Sequence, residues 1–134
     1  MNKRLLLAFV AVFVFMFFYE WIFHGIMLKS TYAETAYHWR SEKEMLSYFH
    51  WLLIGRLFIT AAFCFVFASG RGLSSIKDGA EVGLWFSLFY VGDQLMRYAV
   101  EPLPLSLILI WSVGTAVELI AAGAITAAVY KNSK

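Results

Sequence analysis

Among the ionisable side chains that lie within otherwise apolar stretches of this sequence, seven are candidates for a polar site: Glu20, His24, His50, Arg56, Asp93, Arg97 and Glu118. Carboxyl groups beside histidines suit proton exchange near neutral pH, because a desolvated carboxyl holds its proton more tightly and histidine already titrates there. Arginine among carboxylates forms ion pairs instead. Glu20 and His24 are four residues apart, as are Asp93 and Arg97, so on helices each pair shares one face. His50 and Arg56 are six apart, about 120° around a helix, and do not both point squarely into one small site.

The same residues offer a metal chemistry. His24 and His50, on neighbouring helices at similar depth, have the disposition of two axial haem ligands, and Arg56 or Arg97 would then pair with a propionate. Adding Glu20 and Asp93 makes a mixed nitrogen and oxygen site for zinc or iron. The sequence has no ligand-spacing motif, so no cofactor is expected, and haem, zinc or iron is the alternative. The single cysteine, Cys64, excludes a disulfide framework or a thiolate cluster within one chain. No glycine-rich phosphate loop and no His-Glu-x-x-His occurs, and Gly70-Arg71-Gly72 reads as a turn. Nothing spaces the acid–base groups distinctively, so an enzyme is not the expectation.

The elements that must hold these groups follow from composition. Of 134 residues, 61% are hydrophobic and 15% charged, against about a quarter charged in soluble domains. A soluble core of this size cannot bury so much apolar surface, which excludes an ordinary soluble enzyme or a nucleic-acid-binding domain. A net charge of +2 is too small to imply a polyanionic partner. The chain reads as an integral membrane protein with the lipid bilayer as its first partner.

Four stretches reach the roughly 20 residues needed to cross hydrocarbon. They are 5–28, 46–69, 80–100 and 105–129, and together they form a single transmembrane domain. Lipid tolerates only helices or closed barrels, so the expected fold is all-α, a four-helix transmembrane bundle. The charged start before Leu5 resembles the first region of a signal peptide. It lacks a small-residue cleavage site, so it reads as a retained first helix.

Ser75-x-x-Asp78 is placed to cap the third helix, and Glu101-Pro102-Leu103-Pro104 to separate the third from the fourth. The longer Lys29–Met45 connection holds Tyr32, Tyr37, His38 and Trp39. Thr31-x-x-Glu34 and Ser41-x-x-Glu44 both match the capping-box pattern there. It reads as a short amphipathic surface helix at headgroup level, either an aromatic belt or a lid over a polar site. Gly79-x-x-x-Gly83, Gly114 and Ala121-Ala122-Gly123-Ala124 offer smooth surfaces for close helix packing. Lys3, Arg4, Arg71, Lys77, Lys131 and Lys134 fall on one side, and Lys29, Arg40 and Lys43 on the other. This places both termini in the cytoplasm, of a bacterial cytoplasmic membrane.

Counting about 1.5 Å per residue from the outer ends puts Glu20, His24, His50, Arg56, Asp93 and Arg97 in the outer half. Glu118 falls about 20 Å down, in the inner half. Arg56, near the midplane, needs a partner: Asp93 is the first candidate and Glu20 the second. One reading of the cluster is a structural ion-pair network. The functional readings are a small proton- or ion-coupled transporter or channel component, an accessory or assembly subunit of a larger membrane complex, and a haem- or metal-binding protein. A transporter of only four helices would be a homo-oligomer.

Overall fold

The computed structural model describes residues 3–69 and 75–130 and is all-α. Gly70-Arg71-Gly72, most of the connection it belongs to, and Lys131 and Lys134 lie outside the described residues. The helices are α1 (Lys3–Ile22), α2 (Lys29–Glu34), α3 (Glu42–Ser47), α4 (Phe49–Ser69), α5 (Ile76–Val100) and α6 (Leu105–Tyr130). Among the described residues three helical segments are long and apolar enough to cross a membrane: Lys3–Met27, Phe49–Ser69 and Leu105–Tyr130. The fourth long helix, α5, is 25 residues and more polar.

Helix α6 is the hub, packing on α5 along its length and also on α1 and α4. Its partnership with α5 is set by glycine. A Cβ at Gly79 would stand 2.3 Å from the Gly123 carbonyl oxygen, and one at Gly83 would stand 2.1 Å from that of Leu119. The two backbones therefore touch, as the small-residue pattern predicts, and their register is antiparallel. Gly114 serves differently, since the Phe23 ring occupies the place of its missing side chain.

Local signals explain most helix ends. Ser75 and Asp78 form a reciprocal capping box at the start of α5, and Ser41 and Glu44 form one at the start of α3. Thr31-x-x-Glu34 is not a cap: Thr31 lies inside α2, where its carbonyl accepts from the Thr35 hydroxyl at 2.8 Å. The connection holds the short helix α2, a tight turn at Ala36–His38, and then α3, which leads almost directly into α4, in keeping with a short surface helix followed by an early start to the second long segment. Helix α1 closes with a wider turn at Phe23–Met27, where the Leu28 N–H reaches back five residues to the Phe23 carbonyl. Such turns insert a residue into the helical ladder and re-aim the side chains beyond it.

Two apolar cores result. The inner one, toward the chain termini, holds Val12, Met16, Phe63, Phe67, Leu119 and Ala122. The outer one gathers Phe23, Leu28, Leu103, Leu107, Ile108 and Trp111 beneath the α1–α4 connection. In α4, every buried residue falls from Thr60 onward, so its outer half stands away from the bundle.

Candidate functional site

Residues 16, 19, 20 and 23 recur at helical spacing along the face of α1 that meets α6. Residues 111, 114 and 118 do the same on α6. Between these stripes Arg56 reaches in from α4. Its guanidinium lies 2.5 Å from Glu20 and 3.2 Å from Glu118, making a three-helix triad of one cation and two carboxyl groups. Its Nη1 also contacts the Met16 sulfur at 3.5 Å. The Arg56 and Glu118 side chains are 12% and 2% exposed, whereas Glu20 is 37% exposed.

Asp93, expected as the first partner of Arg56, is on the exposed face of α5 and forms no part of the triad. Glu118, expected to lie apart in the inner half, belongs to it. Depth counted at the backbone ignores side-chain reach, and an arginine spans several ångströms between helix levels. Arg97 instead bonds Glu101, one turn on, at 2.8 Å, and its guanidinium lies 5.3 Å from the Trp111 ring centre. His50 is exposed near the start of α4 beside Trp51.

His24 is drawn into an aromatic cap above the triad. Its Nδ1 is hydrogen-bonded to the Tyr32 hydroxyl, which also accepts from the Trp111 indole N–H at 2.8 Å. Trp39 packs edge-on against both Tyr32 and Trp111 and donates to the Thr35 hydroxyl. Burial pushes the Tyr32 phenol up to about 12, so it is a neutral hydroxyl at physiological pH. His38 Nε2 meets the Pro102 carbonyl at 3.1 Å and ties the connection to the α5–α6 turn. The aromatic connection thus covers the outer end of the bundle.

Polar groups continue inward from this cap. The Tyr19 hydroxyl donates to the Gly114 carbonyl at 2.7 Å, and the half-buried Tyr90 packs against the inner apolar core. Both tyrosines lie in the field of Glu20 and Glu118. Below the triad, the inner apolar core follows, and the hydroxyls of Ser87 and Thr126 bond back to their own helices. The site is polar on its outer side and sealed on its inner side.

Among the described residues no group of three or more His, Cys, Asp or Glu stands where it could hold a metal ion. Tyr19, Tyr90 and Trp111 surround the site without having been singled out by sequence, whereas Tyr32 stood among the aromatics read as a belt or lid. Trp111 carried a signal, because it lies seven residues before Glu118 and so shares its face of α6, whereas Tyr19, next to Glu20, and Tyr90 carried none. No family model, no curated protein and no solved structure matches this chain, so its reading rests on its own residues.

Proposed function

We propose that the chain is a four-helix integral membrane protein whose Glu20–Arg56–Glu118 triad is the proton- or ion-binding site of a small coupled transporter. The observation that carries this reading is the charge count of the triad. One guanidinium faces two carboxyl groups, one enclosed and one partly exposed. With both ionised the triad carries one net negative charge in a poorly solvated place, and binding one proton or one monovalent cation neutralises it. Charges within a membrane that face a bundle interior commonly mark such pathways.

The membrane crossing of α5 is supported by its contact with α6. α5 packs on the apolar α6, with the two backbones in contact at Gly79 and Gly83, and a long helix so packed on a span is drawn across with it. Four crossings bring both termini to one side, and the distribution of Lys and Arg supports the cytoplasmic side of a bacterial inner membrane. Polar side chains lie on the outer side of the triad, beneath the aromatic cap, and an apolar core lies on its inner side, an asymmetry that supports approach from the outer side. For transport, the layer of Met16, Phe63 and Leu119 must part.

Vesicles reconstituted with the protein and loaded with a pH-sensitive dye test this reading. Under an imposed pH or cation gradient the wild type carries protons faster than empty vesicles, and Glu118→Gln abolishes the excess. A wild type indistinguishable from empty vesicles under every cation gradient makes the triad a structural ion-pair network instead. Topology is read separately: thiols at Lys77→Cys and Glu101→Cys label from opposite sides if α5 crosses.

A further inference from the structure

Two exposed faces remain without a partner among the described residues, and each carries an ionisable group in its outer half. On α5, residues Trp85, Phe89, Asp93, Met96 and Val100 fall on one face, and the four apolar members are 63%, 82%, 67% and 84% exposed. On α4, His50, Ile54, Phe58, Ala61 and Phe65 repeat the same spacing, and all are exposed. Neither Asp93 nor His50 makes an ion pair or a side-chain hydrogen bond among the described residues. Arg97, one turn from Asp93, is already bonded to Glu101.

The two groups lie at matching levels. Gly79 opposite Gly123 and Gly83 opposite Leu119 fix the α5–α6 register, which brings Asp93 level with about residue 109. That is about 13 Å outward of Glu118. His50 is six residues, about 9 Å, outward of Arg56, whose own level lies between that of Glu118 and about 6 Å outward of it, since Arg56 also pairs with Glu20 and the adjacent Tyr19 bonds the Gly114 carbonyl. The difference, at most about 4 Å, is within the reach of the two side chains.

We infer that the outer α4 face of one copy of this chain packs on the α5 face of a second copy, pairing His50 with Asp93 between them. A carboxylate facing hydrocarbon is costly, and lipid tails offer nothing to offset it. The complementary group is on this chain's own unused face, at the right depth, with apolar residues at the same helical spacing around it. The outer half of α4, where Phe49–Ile59 includes no buried residue, gains a packing surface in the same contact. The inference rests on α5 crossing the membrane, as proposed above.

The experiment uses full-length chains with Cys64→Ala as background. Differently tagged chains bearing His50→Cys and Asp93→Cys are co-expressed and oxidised mildly in the membrane. A disulfide-linked dimer is expected from the mixed population and from neither variant alone. Native mass spectrometry from nanodiscs should show a dimer that Asp93→Asn loses and the exchanged pair His50→Asp with Asp93→His retains. No cross-link in the mixed population, equal cross-linking by single variants, or a dimer unaffected by Asp93→Asn overturns the interface. Labelling at Lys77→Cys and Glu101→Cys separates the causes of failure. Opposite sides leave α5 spanning and condemn the interface alone, whereas one side removes the spanning reading and the interface with it.

Discussion

Arg56 and Glu118 stand 62 residues apart in sequence, on α4 and α6, and their side chains meet at 3.2 Å. The contact answers the most costly burial in the protein, since the Glu118 side chain is only 2% exposed. It also anchors the outer half of α4, which otherwise lacks buried residues. The Arg56→Leu substitution leaves Glu118 enclosed without a cation and should destabilise the fold by about 3–5 kcal/mol. Combining it with Glu118→Leu should recover much of that loss, because similar-sized apolar residues replace a buried pair at little cost. Arg97→Leu, at an exposed pair, should shift the unfolding midpoint far less. Denaturant titration in one detergent measures all three, and equal effects of Arg56→Leu and Arg97→Leu would contradict the assigned burial.

Gly83→Ala puts a Cβ 2.1 Å from the Leu119 carbonyl oxygen, a backbone atom that cannot turn aside. Overpacking of this kind costs about 1–3 kcal/mol and forces α5 and α6 apart. Gly55→Ala is the internal comparison, because nothing lies within 4 Å of its added Cβ. Thermal unfolding in nanodiscs should therefore separate the two, with Gly55→Ala neutral or slightly stabilising.

Tyr32→Phe removes the hydroxyl that joins His24 to Trp111 and leaves the indole N–H without its acceptor. A loss of about 1–3 kcal/mol in the local stability of the outer cap is expected. Hydrogen exchange across residues 29–39 reports it directly. Unchanged protection there would mean that ring packing alone holds the cap.

The tie through Tyr32 also has a pH signature. Its phenol is raised by burial from 10.0 to about 12, so its contribution is full below pH 10 and declines as the pH rises toward 12. The Arg97–Glu101 pair responds at the opposite end. The Arg97 hydrogen bond holds the Glu101 carboxyl below 4.5, so its contribution is full above that pH and is lost as the pH falls through the lowered value. Amide exchange in the last turn of α5 should rise in acid, and in the Tyr32 segment in strong base. The reverse pattern would refute both assignments.

Much of the architecture was determined by the sequence alone, through interactions local to one helix or one turn. Continuous apolar runs demanded helices, because a backbone in hydrocarbon must satisfy its own hydrogen bonds. Ser41, Ser75 and the two prolines after Glu101 acted on neighbours within four residues, and Gly79, Gly83 and Gly123 marked a close seam through their lack of side chains. Periodicity likewise grouped Glu20 with His24 and separated His50 from Arg56. Only the tertiary structure decided which charges met. Helical spacing sets angles within one helix, but not its rotation toward the next or its level beside it. Glu118 therefore looked remote until α6 was placed against α1 and Arg56 extended between them, while Asp93 looked close until α5 turned it outward. The wide turn at Phe23–Met27, which leads into the connection where His24 meets Tyr32, had no sequence signature beyond a single glycine. The pairing of Arg56 is a property of three helices packed together, and no one of them carries it alone.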